Sequence, residues 1–432
     1  MTRWLYSLIM WLCQPLLRRK LARRGSSEPG YLLAVPERFG DYADSPAPTA
    51  GPLIWVHAVS LGETRAAALL VARLREHVPG MRLLLTHGTA TGRAQGAELL
   101  RPGDMQVWQP WDTPAIVSRF LDHFKPRVGL LMETEVWPNL AAHCQQRGIA
   151  LALVNARLNE RSLHLSLRLA WLARPAYANL AAVWAQTPAD AARLVALGAR
   201  VQAVVGNLKF DATPDAQQLA RGRAWRACAE RPVAMLASSR EGEEQALLQL
   251  LQSVATARSI QWLIVPRHPQ RFAEVAALIQ AHGFAVSRRS AWRDGPPAGV
   301  GGTARSVWLG DSLGEMALYY GLADVALLGG SFEPLGGQNL IEAAACACPV
   351  LMGPHTFNFT DAAELAAATG AARRVSSLQQ AVVEAQALVS DSSGRARMAE
   401  AALEFSNAHR GALEQTLAGV LALLRQQGID TL

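Results

Sequence analysis

The sequence predicts an α/β protein built from two Rossmann-like domains facing a cleft. Three observations carry this. From Leu53 onward, short apolar runs alternate with helical stretches, the pattern of a mostly parallel, doubly wound sheet. The alternation restarts after the stretch 206–214. And 432 residues, half of them hydrophobic, are more than one core usually takes and enough for two.

Residues 1–24 come first. Trp4 to Leu17 is mainly apolar, too short for a simple membrane span, and runs into a basic cluster. On a helix, Arg3, Ser7, Gln14 and Arg18 fall near one stripe, with Trp4, Leu8, Trp11 and Leu12 elsewhere. That suggests an interfacial anchor with its basic end at anionic headgroups; the alternative is a helix packed on the protein's own body. Pro15 kinks or ends it. Residues 25–52, rich in Gly, Pro and Ser, read as a connecting segment. The first domain, 53–206, has apolar runs at 53–57, 81–86, 105–109, 127–132, 149–154, 182–185 and 201–205. Helices are expected between them at 63–77, 91–100, 114–124, 137–147 and 188–197. The second domain, 207–432, repeats the pattern with runs at 233–238, 260–265, 284–287, 306–309, 325–328 and 349–352. Its helices are expected at 242–257, 269–282, 313–321, 337–346, 360–369 and 377–390, with more towards the C-terminus. Residues 294–302 read as a surface loop.

Charge and composition narrow the function classes. Of the net +7, six charges come from Arg3, Arg18, Arg19, Lys20, Arg23 and Arg24, with no acid among residues 1–24. The rest of the chain carries +1, which argues against a nucleic-acid-binding body and for an anionic membrane surface at the N-terminus. Five scattered cysteines without a C-x-x-C pair suit a reducing compartment. Dinucleotide, P-loop and zincin motifs are missing, and His57, His87, His123 and His143 lack ligand spacing.

The polar residues that matter follow the strands. Glu63 stands at a helix N-terminus after the first strand; it is an ordinary first-turn Glu, or a general base that the helix dipole keeps ionised. Glu133 and Glu135 follow the strand ending at Met132, and Asn155-Ala156-Arg157 follows the next. These are the rim positions where α/β sheets bind ligands. Lys209 lies in the interdomain connection. In the second half, 238–242, 266–269, 310–315 and 329–332 end strands, and the Gly-rich loop 336–342 enters a helix. Glycine backbones and helix N-termini suit a phosphate, Arg267 adds a charge-assisted bond, and Glu342 suits ribose hydroxyls. Four such loops on one rim point to a nucleotide site.

On these residues the chain resembles the Kdo (3-deoxy-D-manno-octulosonic-acid) transferases. The matching stretches are HAVSLGE (57–63), METEVWPNL (132–140), NARLNERS (155–162), GNLKFD (206–211), EGEE (241–244), VPRHPQRF (265–272), GDSLGEM (310–316), GGSFEPLGGQNLIEAAA (329–345) and PVLMGPHTFNF (349–359), in family order. The resemblance implies a GT-B glycosyltransferase with an acceptor-binding first domain and a CMP-sugar-binding second one. It implies CMP-Kdo as donor and a lipid A precursor, lipid IVA, as acceptor, at the cytoplasmic face of the inner membrane. The family's general base falls on Glu63, and its transition-state-stabilising positions on Glu133 and Lys209. Its CMP contacts fall on Pro266 and Arg267, on Leu313, Gly314 and Glu315, and on Asn339, Leu340, Ile341 and Glu342. Gln338 departs from the family, several members of which carry a His there. The expected reaction is inverting and metal-independent, with no resident cofactor. The competing readings are a GT-B protein using another donor, a sugar-nucleotide epimerase, or a non-catalytic membrane-bound scaffold.

Overall fold

The computed structural model describes residues 2–43, 51–253, 259–296 and 306–432. It divides into one unit of Met1–Asp211 with Arg410–Leu432 and a second of Ala212–His409.

The first unit is a seven-stranded parallel sheet: β1 (Leu53–His57), β2 (Arg82–His87), β3 (Met105–Trp108), β4 (Val128–Met132), β5 (Ala150–Ala156), β6 (Ala182–Ala185) and β7 (Val201–Val204). Their order is β3-β2-β1-β4-β5-β6-β7. Alternate residues of β1 serve opposite faces, as the pleat requires. Ile54 and Val56 join one buried cluster, Leu53 and Trp55 another. Helices cover both faces, so the central strands are apolar throughout rather than alternating. The order reverses between β1 and β4, which opens a crevice at their C-terminal ends.

The second unit repeats the plan with β8 (Val233–Ser239), β9 (Gln261–Pro266), β10 (Ala285–Arg288), β11 (Ser306–Leu309), β12 (Val325–Leu328), β13 (Val350–Met352) and β14 (Ala372–Arg374). The order is β10-β11-β9-β8-β12-β13-β14, so the reversal falls between β8 and β12. There the backbones nearly touch. A Cβ on Gly329 would sit 2.4 Å from the Ser238 carbonyl oxygen, and Gly330 turns at φ 70°, a conformation that favours glycine.

Each expected apolar run overlies a strand. One strand had no expected run: β14, three residues ending Arg-Arg, too short and polar to register as one. Helices Glu160–Arg168, Ala170–Ala178 and Ala216–Cys228 were also not expected. The helices expected at 313–321 and 337–346 start later, at Met316 and Leu340, because Gly-containing loops take up their first residues. The expected helix 242–257 and the loop 294–302 run partly outside the described residues.

The domain limits need two corrections. The second domain does not run to 432. Helix Ala412–Gln426 returns to the first unit, where Leu417, Val420, Leu421 and Leu424 complete the core face beside Ile54 and Leu70. Asp211 fixes the return by accepting from the Gly411 and Leu413 amides at 2.7 and 2.8 Å. The boundary lies after Asp211, not Gly206. Nor is 25–52 a mere connection where it is described; 44–50 lie outside the described residues. Tyr31 and Phe39 are buried with Leu21 and Ile116. Glu37 pairs with Arg93 at 2.7 Å and accepts from the Trp108 amide at 2.9 Å.

The N-terminal residues form helices Thr2–Leu12 and Gln14–Gly25, broken at Cys13 just before Pro15. Among the described residues no helix is long and apolar enough to cross a membrane.

Candidate functional site

Glu63 owes its place to helix capping. Ser60 is the N-cap of helix Leu61–His77, and its Oγ accepts from the Glu63 amide. The Glu63 carboxylate turns back, accepting from the Ser60 hydroxyl and from the Val59 amide, both at 2.9 Å. This is a capping box displaced by one residue, and its S-x-x-E signature is legible in the sequence. The fold sets the carboxylate at the C-terminal end of β1, beside the strand reversal. Burial, then the negative charge of Glu133, raise its pKa to about 7, against the pull of the two hydrogen bonds. The expectation of a carboxylate kept ionised by the helix N-terminus thus meets an opposing effect, desolvation by the packed rim. Near neutrality the group is poised to exchange a proton.

Glu133 follows β4, across the reversal. Its backbone is left-handed, φ 58°, which costs a non-Gly residue on the order of 1 kcal/mol. Two hydrogen bonds hold it there: its amide donates to Val154 at 3.0 Å, and the Arg157 amide donates to its carbonyl at 3.1 Å. The residue is 2% exposed. One oxygen meets Lys209 Nζ at 2.6 Å, the other Arg157 Nε at 2.8 Å. Burial pushes the carboxyl up, but Lys209 and then Arg157 overcome it, so Glu133 titrates below the usual range. Lys209 is aimed by its neighbours. Leu208 and Phe210 are buried on either side, and the Leu208 amide donates to Asn155 Oδ1 at 3.0 Å. Residues 76 apart in sequence are thus joined at one rim. Glu135, bonded to Trp137 Nε1 at 2.8 Å, is a third carboxyl that burial raises. His57 and His87 lie beneath the site as buried, hydrogen-bonded residues.

In the second unit, Glu243 opens the helix after β8. Its carboxylate accepts from the Arg240, Gly330 and Phe332 amides at 2.9, 2.8 and 3.2 Å, tying the loops after β8 and β12 together. Glu244, fully buried, accepts from Ser239 Oγ and Arg271 Nη1, both at 2.7 Å. Pro266 ends β9, and the Arg267 amide donates to the Ser239 carbonyl at 3.0 Å. Asn339 caps helix Leu340–Ala345, accepting from the Ile341 amide at 3.2 Å. Leu340 and Ile341 are buried. Arg267 and Glu342 both act electrostatically on the buried Tyr320. Burial first, then Glu342, hold its hydroxyl well above its ordinary range, and Arg267 opposes them. Leu313 is exposed, and the Gly314 carbonyl accepts from Gln218 at 3.0 Å. Glu315 is taken by Arg289 at 2.7 Å and by the Ser312 hydroxyl.

Within the first unit the structure therefore brings Glu63, Glu133 and Lys209 to one rim. Within the second it sets 266–267 and 339–342 around the β8/β12 reversal, while 313–315 follow β11, further along the sheet. Arg157 and Glu243 were not singled out as site residues, although the motifs holding them stood in the sequence. Arg157 stood in a marked rim loop, but nothing in the sequence paired it with Glu133, and Glu243 acts through amides whose positions only the fold shows.

A family model described as 3-deoxy-D-manno-octulosonic-acid transferase (kdotransferase) matches residues 34–212. The chain is 47% identical over 429 residues to a 3-deoxy-D-manno-octulosonic acid transferase of Bordetella pertussis, covering 96% of this chain and 98% of the relative. To the Haemophilus influenzae enzyme of the same name it is 31% identical, covering 96% and 97%. Among solved structures, UDP-GlcNAc 2-epimerase from Neisseria meningitidis aligns with TM-score 0.55 over 86% of this chain and all of that one, at 14% identity. At that identity the likeness is one of fold, the two-sheet GT-B-like architecture.

Proposed function

The chain belongs to the 3-deoxy-D-manno-octulosonic-acid (Kdo) transferase family, and from that premise we propose a reaction: Kdo passes from CMP-Kdo to a lipid A precursor with inversion, Glu63 acting as general base. The enzyme is a glycosyltransferase. The observation that carries the mechanism is Glu63 itself. It is a carboxylate at a strand reversal, held by two hydrogen bonds, with a pKa raised to about 7.

The acceptor is a primary sugar hydroxyl, too weak an acid to attack unaided at neutral pH. Its oxygen bonds to the Kdo anomeric carbon while the bond from that carbon to the CMP phosphate oxygen breaks. The hydroxyl proton passes to Glu63, and CMP leaves with the bonding electron pair. General-base assistance of this kind contributes about 10²–10⁴-fold. Glu133, kept ionised by Lys209 and Arg157, presents negative charge to the oxocarbenium-like centre. Donor binding falls to the second unit, with Pro266, Arg267 and 339–342 at the nucleotide and 313–315 beside it. The leaving group has one phosphate, which a helix N-terminus and Arg267 can neutralise, so the step invokes no metal. Attack opposite the departing CMP inverts the centre. The N-terminal helices rest on the cytoplasmic face of the anionic inner membrane, where the lipid acceptor resides.

The test is mass spectrometry of the product formed from CMP-Kdo and a tetraacylated lipid A precursor. The expected product is the precursor enlarged by Kdo with CMP released; CMP release without a glycosylated lipid would contradict the acceptor.

A further inference from the structure

Helix Thr2–Leu12 turns its polar side inward. Tyr6 donates to Asp112 at 2.8 Å and Ser7 to Asn139 Oδ1 at 3.1 Å, while Trp111 Nε1 donates to the Met10 carbonyl at 2.9 Å. Asp112 is a fixed post, 2% exposed, and also accepts from the Asn139 and Leu140 amides at 3.0 and 2.8 Å. The outward residues are Trp4, Leu5, Ile9, Trp11 and Leu12, exposed at 69, 50, 49, 61 and 58%. This inverts the usual arrangement, in which a helix lays its apolar stripe on the core and its polar stripe in water.

A second element shares the feature. Helix Ala170–Ala178 packs beside helix Thr2–Leu12. Together with the preceding helix, Glu160–Arg168, it exposes Leu165, Leu169 and Trp171 at 53, 51 and 41%. Arg161, His164, Arg168 and Arg174 are exposed among them, and Glu160 is the lone acid on these two helices. The N-terminal basic run, with Arg18, Arg19, Lys20 and Arg23 exposed, lies just beyond Leu12. Exposed apolar side chains including Trp, with basic residues interspersed, fit the headgroup zone of an anionic bilayer.

We propose that helices Glu160–Arg168 and Ala170–Ala178 are a second lipid-contacting element, which with the N-terminal helix forms one composite surface docking the first unit on an anionic membrane. The proposal rests on the membrane reading above but assigns the contact to residues which that reading does not use. It has a consequence for catalysis. Helix Glu160–Arg168 begins three residues after Arg157, which grips Glu133. Asp112 follows β3, and helix Pro138–Gln146, which holds Asn139, follows β4. Short segments thus tie the lipid-facing helices to the rim that carries Glu63, so the acceptor sugar reaches the base while its acyl chains stay in the bilayer.

The test uses the full chain in co-sedimentation with phosphatidylglycerol-rich and with pure phosphatidylcholine vesicles. Leu165→Ser, Leu169→Ser and Trp171→Ser together should weaken binding to the anionic vesicles by on the order of 10-fold or more. The thermal shift given by CMP should stay as in the unaltered chain, which also reports that the variant folds. Arg161→Ser, Arg168→Ser and Arg174→Ser together should remove mainly the salt-sensitive part of the binding. Undiminished vesicle binding by the apolar triple variant overturns the proposal and leaves the N-terminal helix as the sole anchor. Failure of the unaltered chain to bind either vesicle overturns the membrane reading itself. A dimer by light scattering that the triple variant converts to monomer assigns the surface to a second copy of the chain and also overturns the proposal.

Discussion

The two units place a glutamate at the same point of the same plan and use it differently. Glu63 is the third residue of the helix after the first strand of its sheet, and Glu243 opens the corresponding helix in the other unit. Each stands where the strand order reverses. Across the reversal from Glu243 lies the Gly329–Gly330 turn, and its carboxylate is used up by three amides from two loops. Across from Glu63 lies Glu133, a second acid already held by two cations. Glu63 has a single amide and a hydroxyl as donors, and a neighbouring negative charge. Burial raises the carboxyl pKa in both. The difference is that three amides from two loops oppose it at Glu243, making a structural bracket, whereas at Glu63 one amide and a hydroxyl do, and the carboxylate across the reversal raises it further.

Substitutions can break that contrast. Glu63→Gln keeps shape and removes the ionisable carboxyl, so if Glu63 is the base kcat should fall by about 10²–10⁴-fold while the CMP-induced thermal shift persists. Loss of CMP binding instead would make Glu63 a structural residue like its counterpart. Glu243→Ala should act through architecture, since three amides lose their acceptor. A drop in stability of about 1–3 kcal/mol, read by thermal melting, should accompany a raised donor KM with kcat little changed. A kcat loss at unchanged KM would undo the distinction. Glu133→Gln removes the charge that raises the Glu63 pKa, so the acid limb of the rate profile should move to lower pH, beyond any fall in kcat. Ser60→Ala has the smallest effect. It deletes an N-cap, about 1 kcal/mol, and a hydrogen bond that lowers the Glu63 pKa. The acid limb should therefore move to higher pH.

The strands were legible because both faces of each sheet are covered, which makes buried parallel strands into continuous apolar runs that local sequence displays. β14 escaped because its residues are short of apolar character, two of three being exposed arginines. Helix Ala412–Gln426 looked like part of the second domain because nothing in its composition says which core it joins; that depends on Asp211 and on a face left open beside helix Leu61–His77. Glu63, Glu133 and Lys209 were nameable one at a time, each as a residue at a strand end or in a connection, and the family resemblance gave them roles. Their pairing was not, since a left-handed turn at Glu133 and buried flanks at Lys209 are what aim the two side chains at each other. The pKa of Glu63 was not legible for a related reason. The helix N-terminus is visible in sequence, while the burial that raises the carboxyl is a property of the packed rim.

The most direct test of Glu63 as the base is the pH dependence of kcat/KM, which reports ionisations of the free enzyme. A carboxyl whose pKa is raised to about 7 is active deprotonated. The profile should therefore rise from low pH with unit slope and level off above an apparent pKa near 7, and Glu63→Gln should abolish that limb in its residual activity. A profile already flat down to the ordinary carboxylate range, or an unchanged limb in Glu63→Gln, would contradict the assignment.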